Sequence, residues 1–414
     1  MAESKKFNAW LPDFGTKGWG ITIACFVFFY FYSFWNAATN TLFGLFNEMY
    51  GWQQTDMSYV ITIAGWISLI AVVLFGTLGR RIGAKMVSVI GLTGSATGFA
   101  VLACARTFAI FTAGVVIFNF SMVAYATIGV GLLGSSWFPR TKGAFMGIAT
   151  MGMTISSATL NPIILGFAGS SLGISGFFWV MAAIVAATVV VVFLFVRNNP
   201  EEAGAYPDND RSVSREELEA EFRAAQEYKK TSPWTMARVL KTPQTWLIGL
   251  GTGLPMMVGA GTIALLVPTL ASYGQDPMLG VVLLSSMWPI GLLGHYLIGV
   301  LDQKLGTKKT TIAVICVLGL GGLLMRIGGA NTVVCAVATG MFMFGLSGAA
   351  MSACRSPRPS MVARTLRSRT RPSRSSSTCS TSQASRSCPP SPPSPASKTS
   401  CSPCSSSASS RSYL

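Results

Sequence analysis

The chain has 414 residues, half of them hydrophobic and only 11% charged, with a mean hydropathy of +0.50 and a formal charge of +16. Soluble domains carry about 25% charged residues, so this composition excludes an ordinary soluble domain. Ten of the cations, nine Arg and one Lys, fall from Arg355 onward, where no acid occurs. That leaves +6 on the preceding residues and no argument for a nucleic-acid partner.

A helix needs about 20 apolar residues to cross a bilayer. Ten stretches qualify in chain order: 19–46, 57–79, 85–105, 108–135, 143–168, 176–196, 245–272, 278–301, 309–328 and 332–353. Continuous apolar runs predict helices, because lipid leaves a free backbone amide unsatisfied; the alternation of a β-barrel is absent. The polar start shows no short apolar region ending in a cleavage site, so the first span is expected to direct insertion. Cations cluster on alternate sides: Lys5, Lys6 and Lys17 before the first span, Arg80, Arg81 and Lys85 after the second. Arg140 and Lys142 follow the fourth, and Lys304, Lys308 and Lys309 the eighth. The positive-inside bias predicts a cytoplasmic N-terminus in the plasma (inner) membrane.

The expected organisation is a cytoplasmic N-terminus (1–18), a six-helix bundle (19–196), a cytoplasmic linker (197–244), a four-helix partial bundle (245–353) and a Ser/Pro/Arg tail (354–414). In the linker, Ser214 and Glu217 form a capping box. The stretch "PWTMARVLKTPQTW" reads as an amphipathic surface helix.

Two loops carry related motifs. "GTLGRRIGAK" holds Gly76, Arg80, Arg81, Gly83 and Lys85; "GVLDQKLGTKK" holds Gly299, Asp302, Gly306, Lys308 and Lys309. With the six-span first half and the long linker, they resemble the inner-loop signature of the major facilitator superfamily, Gly-x-x-x-Asp-Arg-x-Gly-Arg-Lys. Arg80 stands where the signature has Asp, and Asp302 sits one position early. "WFPRTKGAFMGIATMG", "RNNPEEAGAYPDND" and "LKTPQTW" are similar to the branch holding oxalate:formate antiporters and monocarboxylate transporters. The resemblance covers residues 15–353. It implies an all-α major facilitator fold, two rocking halves, and secondary active or facilitative transport of a small organic anion, a mono- or dicarboxylate. It also implies gating roles for the loop residues named.

All fifteen acids lie in loops or at span ends, which argues against a carboxylate proton relay in these helices. Asn36 and Asn40 share a face of the first span and either bond another helix or line a solute cavity. Tyr30 is a cage or an interfacial anchor. Asn119 and Tyr125 in the fourth span are cavity candidates on the same polar-residue logic. Trp288 in the eighth span is packing or an aromatic wall, and His295 is a helix–helix bond or an anion contact. Asn161 and Pro162, in "NPIILG", read as a kink serving as a gate hinge. The Gly143, Gly147 and Gly152 series reads as close helix packing. One His and no intramembrane acid leave no catalytic dyad or triad, so no enzyme activity is expected. No phosphate-cradling loop, cofactor or metal site is expected either. The expected partners are the solute and lipid, with the chain monomeric.

The tail from Arg355 holds 22 Ser and nine Pro and cannot build a buried core. It reads as a basic tail for anionic lipid or RNA, as a metal site at Cys401 and Cys404, or as a shifted reading frame. The last is preferred. Ser codons TCN read one base earlier give Phe, Leu, Ile or Val, and Pro and Arg codons give Ala, Pro, Ser or Thr. "SRSCPPSPPSPAS" is then an apolar helix one frame out, and spans 11 and 12 are encoded but not translated as such. On this reading, a truncated non-transporting remnant or sensor is the alternative function.

Overall fold

A computed structural model describes residues 12–210, 241 and 243–353. Most of the linker, including the expected capping-box helix, lies outside the described residues, as does the tail. Among the described residues there is no strand. The helices are α1 (Gly15–Tyr32), α2 (Phe34–Tyr50), α3 (Gln54–Ala103), α4 (Phe108–Met122), α5 (Val130–Trp137), α6 (Lys142–Ala168) and α7 (Gly173–Phe195). They continue with α8 (Pro243–Ala264), α9 (Leu266–Ser272), α10 (Pro277–Ser286), α11 (Trp288–Leu305), α12 (Thr307–Gly328) and α13 (Thr332–Ala353).

Each of the ten expected apolar stretches is helical, but several are interrupted. The first breaks at Ser33 between α1 and α2. The fourth passes from α4 through a π-helical stretch, Val123–Gly129, into α5. The seventh and eighth break at Leu265 and Met287, the latter just ahead of Pro289 in the first turn of α11, where a missing N–H costs nothing. Conversely, α3 runs through the second and third stretches, with a turn at Gly83 (φ 85°, ψ 168°). Among the described residues, five stretches are long and apolar enough to cross a membrane by length and composition: Gln54–Ala103, Phe108–Trp137, Lys142–Ala168, Gly173–Phe195 and Lys308–Gly328.

Burial follows the logic of a lipid solvent. Large apolar side chains such as Trp66, Ile70, Phe195 and Ile327 point outward, while Ser68, Ser88, Ser95 and Thr150 are buried. Lipid gives helices no hydrophobic reason to associate, so small residues that let backbones approach do the packing. Gly98 of α3 illustrates this, since a methyl there would lie 2.9 Å from the Phe118 amide nitrogen in α4. Ser68 Oγ donates to the Asn119 carbonyl oxygen across the same pair of elements (3.0 Å). A cluster of Phe34, Phe99, Phe118, Phe177 and Phe178 then ties α2, α3, α4 and α7 into one core, with edge-on and tilted ring pairs at 4.8–6.3 Å.

In the second half, α11, α12 and α13 pack together and α8 lies against α13. An open apolar groove of about 880 Å³ runs between α8–α9 and α12–α13, walled by Leu254, Val258, Leu318, Gly322 and Phe342, with Arg326 on its lining.

Candidate functional site

The two halves meet where the start of α6 crosses the end of α11. A methyl built on Gly143 would sit 2.7 Å from the Gly299 carbonyl oxygen, and one on Gly299 2.8 Å from that of Gly143. One on Gly147 would sit 2.7 Å from the His295 carbonyl oxygen. Real Cβ atoms do not approach backbone that closely, so only Gly permits this contact. Nearer the chain centre the crossing loosens: the nearest atom to a methyl on Gly291 is Thr154 Cγ2 at 3.5 Å, an ordinary contact. Beyond it, Trp288 is 37% exposed. The seam is therefore tightest at the end bearing the cationic loops and slackens toward mid-helix. At the tight end Gln303 Nε2 donates to the Arg140 carbonyl oxygen (3.1 Å), a hydrogen bond from one half to the other.

His295 lies in this seam with its side chain buried, and its Nδ1 has no hydrogen-bond partner. Tyr30 Oη and Thr159 Oγ1 are 3.0 Å apart, and Thr41 Oγ1 donates to Asn161 Oδ1 (2.8 Å). Tyr30 and Asn161 thus tether α1 and α2 to α6. Asn36 is exposed; the side chain of Asn40 lies outside the described residues. Asn119 is buried and donates back to the Val115 carbonyl oxygen (2.9 Å). Tyr125 is fully buried in the π-helical stretch, edge-on to Phe28 with ring centroids 5.7 Å apart. Pro162 is accommodated inside α6, whose helix continues to Ala168.

The two loop motifs share one backbone device. Gly83 (φ 85°, ψ 168°) and Gly306 (φ 84°, ψ 155°) adopt nearly the same conformation, one that L side chains rarely reach. Of the other motif residues, Gly76 faces Ile128, Arg80 and Arg81 are exposed, and the Lys85 ammonium lies 4.8 Å from the Phe193 ring centroid. Asp302 is buried beside Gly143, its Oδ2 3.3 Å from where a methyl would stand.

Sequence reasoning missed the ordered strap at Arg197–Asp210. Its first part reaches the Gly83 turn: Asn198 Oδ1 accepts from the Lys85 N–H (2.8 Å) and lies 2.7 Å from where a Gly83 methyl would be. Ser136 Oγ and Trp137 Nε1 donate to the Asn198 and Arg197 carbonyl oxygens (2.8 and 3.1 Å). Its last part reaches the start of α6. The Asp208 carboxylate accepts from the N–H groups of Arg140 (2.8 Å) and Thr141 (2.9 Å) and from the Thr141 hydroxyl. Arg140 also pairs with Asp210 at 2.8 Å. Burial pushes the Asp208 carboxyl above its ordinary value, against the opposing pull of the Thr141 and Arg140 hydrogen bonds and the Arg140 charge. The signal was present in "PDND" beside the cations of "PRTK", but only the folded chain brings them together.

A sequence model of the Major Facilitator Superfamily matches residues 22–382. The chain belongs to the Major Facilitator Superfamily. The matched stretch runs past Ala353, where the motif-based resemblance ends. Members of this superfamily are membrane transporters, and the chain is a multi-pass membrane protein of that kind. A search of curated proteins found no match. Among solved structures, the major facilitator proton:xylose symporter XylE bound to 6-bromo-6-deoxy-D-glucose is similar, with a TM-score of 0.62 at 12% identity. The alignment covers 81% of this chain and 80% of that one. At that identity the likeness shows the fold.

Proposed function

We propose that the chain carries a small organic anion, a mono- or dicarboxylate, across the plasma (inner) membrane by alternating access, as a secondary active or facilitative transporter. The observation that carries this reading is the graded seam, closed by Gly143, Gly147 and Gly299 at the cationic end and loosening toward Trp288. The cationic loops support taking this end, and with it the N-terminus, as the cytoplasmic side. The described conformation is then closed to the cytoplasm. His295, the one imidazole of the chain, offers a buried Nδ1 with unused hydrogen-bonding capacity in the seam. Trp288, seven residues earlier on α11, is the candidate aromatic wall, and Gly83, Gly306 and Pro162 take up the backbone changes of opening. The motif resemblance to the oxalate:formate and monocarboxylate branch supports an anionic rather than a neutral solute.

Counterflow into proteoliposomes tests this. Labelled formate, lactate, oxalate and succinate are offered against internal unlabelled solute, with xylose as the neutral comparison. Exchange of one of the four carboxylates supports the proposal; exchange of xylose alone, or of nothing, contradicts it.

A second reading, a non-transporting remnant or sensor, is favoured by the open groove between α8–α9 and α12–α13. In the first half, α7 packs along the third crossing, with Phe178 against Phe99, and the described second half has no counterpart to it. On this reading residues from 354 onward are read out of frame. Sequencing the gene through the Ala353 codon tests it: an insertion or deletion relative to a frame encoding two further apolar helices supports the reading, and an intact Ser/Pro/Arg frame in independent isolates overturns it.

A further inference from the structure

The strap at Arg197–Asp210 fastens three separate places at one end of the first bundle. Asn198 fills the Gly83 turn. Asn209 packs its side chain against Gly15 at the start of α1, its Oδ1 2.9 Å from where a methyl would be. Asp208 holds the two residues that lead into α6, accepting from the N–H groups of Arg140 and Thr141 and from the hydroxyl of Thr141, the residue at the helix cap. Unpaired N–H groups at a helix start attract a carboxylate.

This arrangement is costly for a mere tether. Asp208 and Asn209 both sit at φ 53°, and among the described residues they are the non-glycine positions with positive φ. Such conformations are strained for L side chains and concentrate where a conformation has a job. Burying the carboxylate adds a further cost, seen in the upward push on its proton affinity. The two residues that accept these costs bear directly on the element that closes the seam. Arg140, whose N–H Asp208 takes, gives its carbonyl oxygen to Gln303 of the other half. Gly143 and Gly147 follow on the next turns of α6.

We infer that the strap is a latch on the gate between the halves. Asp208 is a positioning residue that fixes the start of α6 in the register where Gly143 and Gly147 meet α11, and its release opens the seam at the cationic end. The latch requires that the halves move, as the transport reading holds, but it is independent of the solute carried.

Hydrogen exchange on the full chain in lipid nanodiscs tests the latch without a substrate. In Asp208→Ala, exchange is expected to rise about tenfold over residues 139–148, as for a lost helix cap. It is also expected to rise severalfold over residues 297–305 of α11 in the other half, where Gln303 bonds the Arg140 carbonyl oxygen. A rise confined to 139–148 reduces Asp208 to a local cap and overturns the proposal. Should Asp208→Ala fail to fold, Asp208→Asn, which keeps one acceptor oxygen, decides: a smaller paired rise supports the latch, and a one-sided rise or none overturns it. Counterflow run in parallel separates the two claims. Wild-type exchange of a carboxylate with unpaired hydrogen-exchange effects sinks the latch alone; paired effects without any flux sink the transport reading alone.

Discussion

The Gly83 and Gly306 turns carry the same backbone in two different settings. Each joins a pair of crossings, and each holds Gly in a conformation closed to other residues. At Gly83 the concavity of the turn is filled by Asn198, and the strap continues from there to α1 and α6. At Gly306 nothing among the described residues lies within 4 Å of where a methyl would stand. The segment after the sixth crossing supplies the clamp in the first half; the described residues of the second half end at the fourth. The motif therefore specifies a turn but not a lock, and the lock comes from a later, polar part of the chain.

Six substitutions would break or sharpen that comparison. The largest effect is expected at the seam. Gly147→Val places a branched side chain against the His295 backbone, which cannot yield as a side-chain tip would. Overpacking of this kind costs about 1–3 kcal/mol, so counterflow is expected to fall at least about tenfold while the protein remains folded. Next, Gly83→Ala is expected to destabilise more than Gly306→Ala. Both incur the strain of a left-handed residue, about 1–3 kcal/mol, but only Gly83→Ala also meets Asn198; thermal unfolding in detergent ranks them. Combining Gly83→Ala with Asn198→Ala is expected to recover the difference between the two turns, and a double mutant no better than Gly83→Ala would show that the collision is not its source. Thr41→Val removes one interhelical hydrogen bond to Asn161 and is expected to cost about 0.6 kcal/mol, the average for such bonds in membranes. Smallest of all, Asp210→Asn loosens a pair whose Arg140 side chain is 70% exposed and is expected to leave unfolding unchanged within error. A large effect there would mean the strap is held by charge rather than by the Asp208 contacts.

Much of the architecture was legible because bilayer thickness imposes a length and lipid imposes a composition. The ten apolar stretches follow from those two facts. Their interruptions do not: Ser33 ends α1 with no proline or glycine beside it, and the π-helical stretch at Val123–Gly129 forms where Gly91 and Gly129 let α3 and the fourth crossing approach closely. The second is a tertiary effect. The Gly143 and Gly147 series was legible as a packing stripe, but its partner Gly299 is 152 residues later in another half, and no local pattern names it. Asn119 and Tyr125 were named on polar-residue logic alone, which fixes neither their depth nor their neighbours: folded, both are buried, Asn119 bonds its own helix and Tyr125 packs on Phe28. Asp208 stayed hidden because an acid in a polar linker looks like any solvated charge until the chain folds it back onto α6.

The central claim is that the two halves rock about a glycine seam to move a small carboxylate. Counterflow of labelled oxalate and formate into proteoliposomes, with Gly147→Val reconstituted alongside, tests it most directly. The account predicts saturable exchange by the unsubstituted chain and little or none by the variant. Equal fluxes from both, or none from a folded unsubstituted chain with any carboxylate offered, would contradict it.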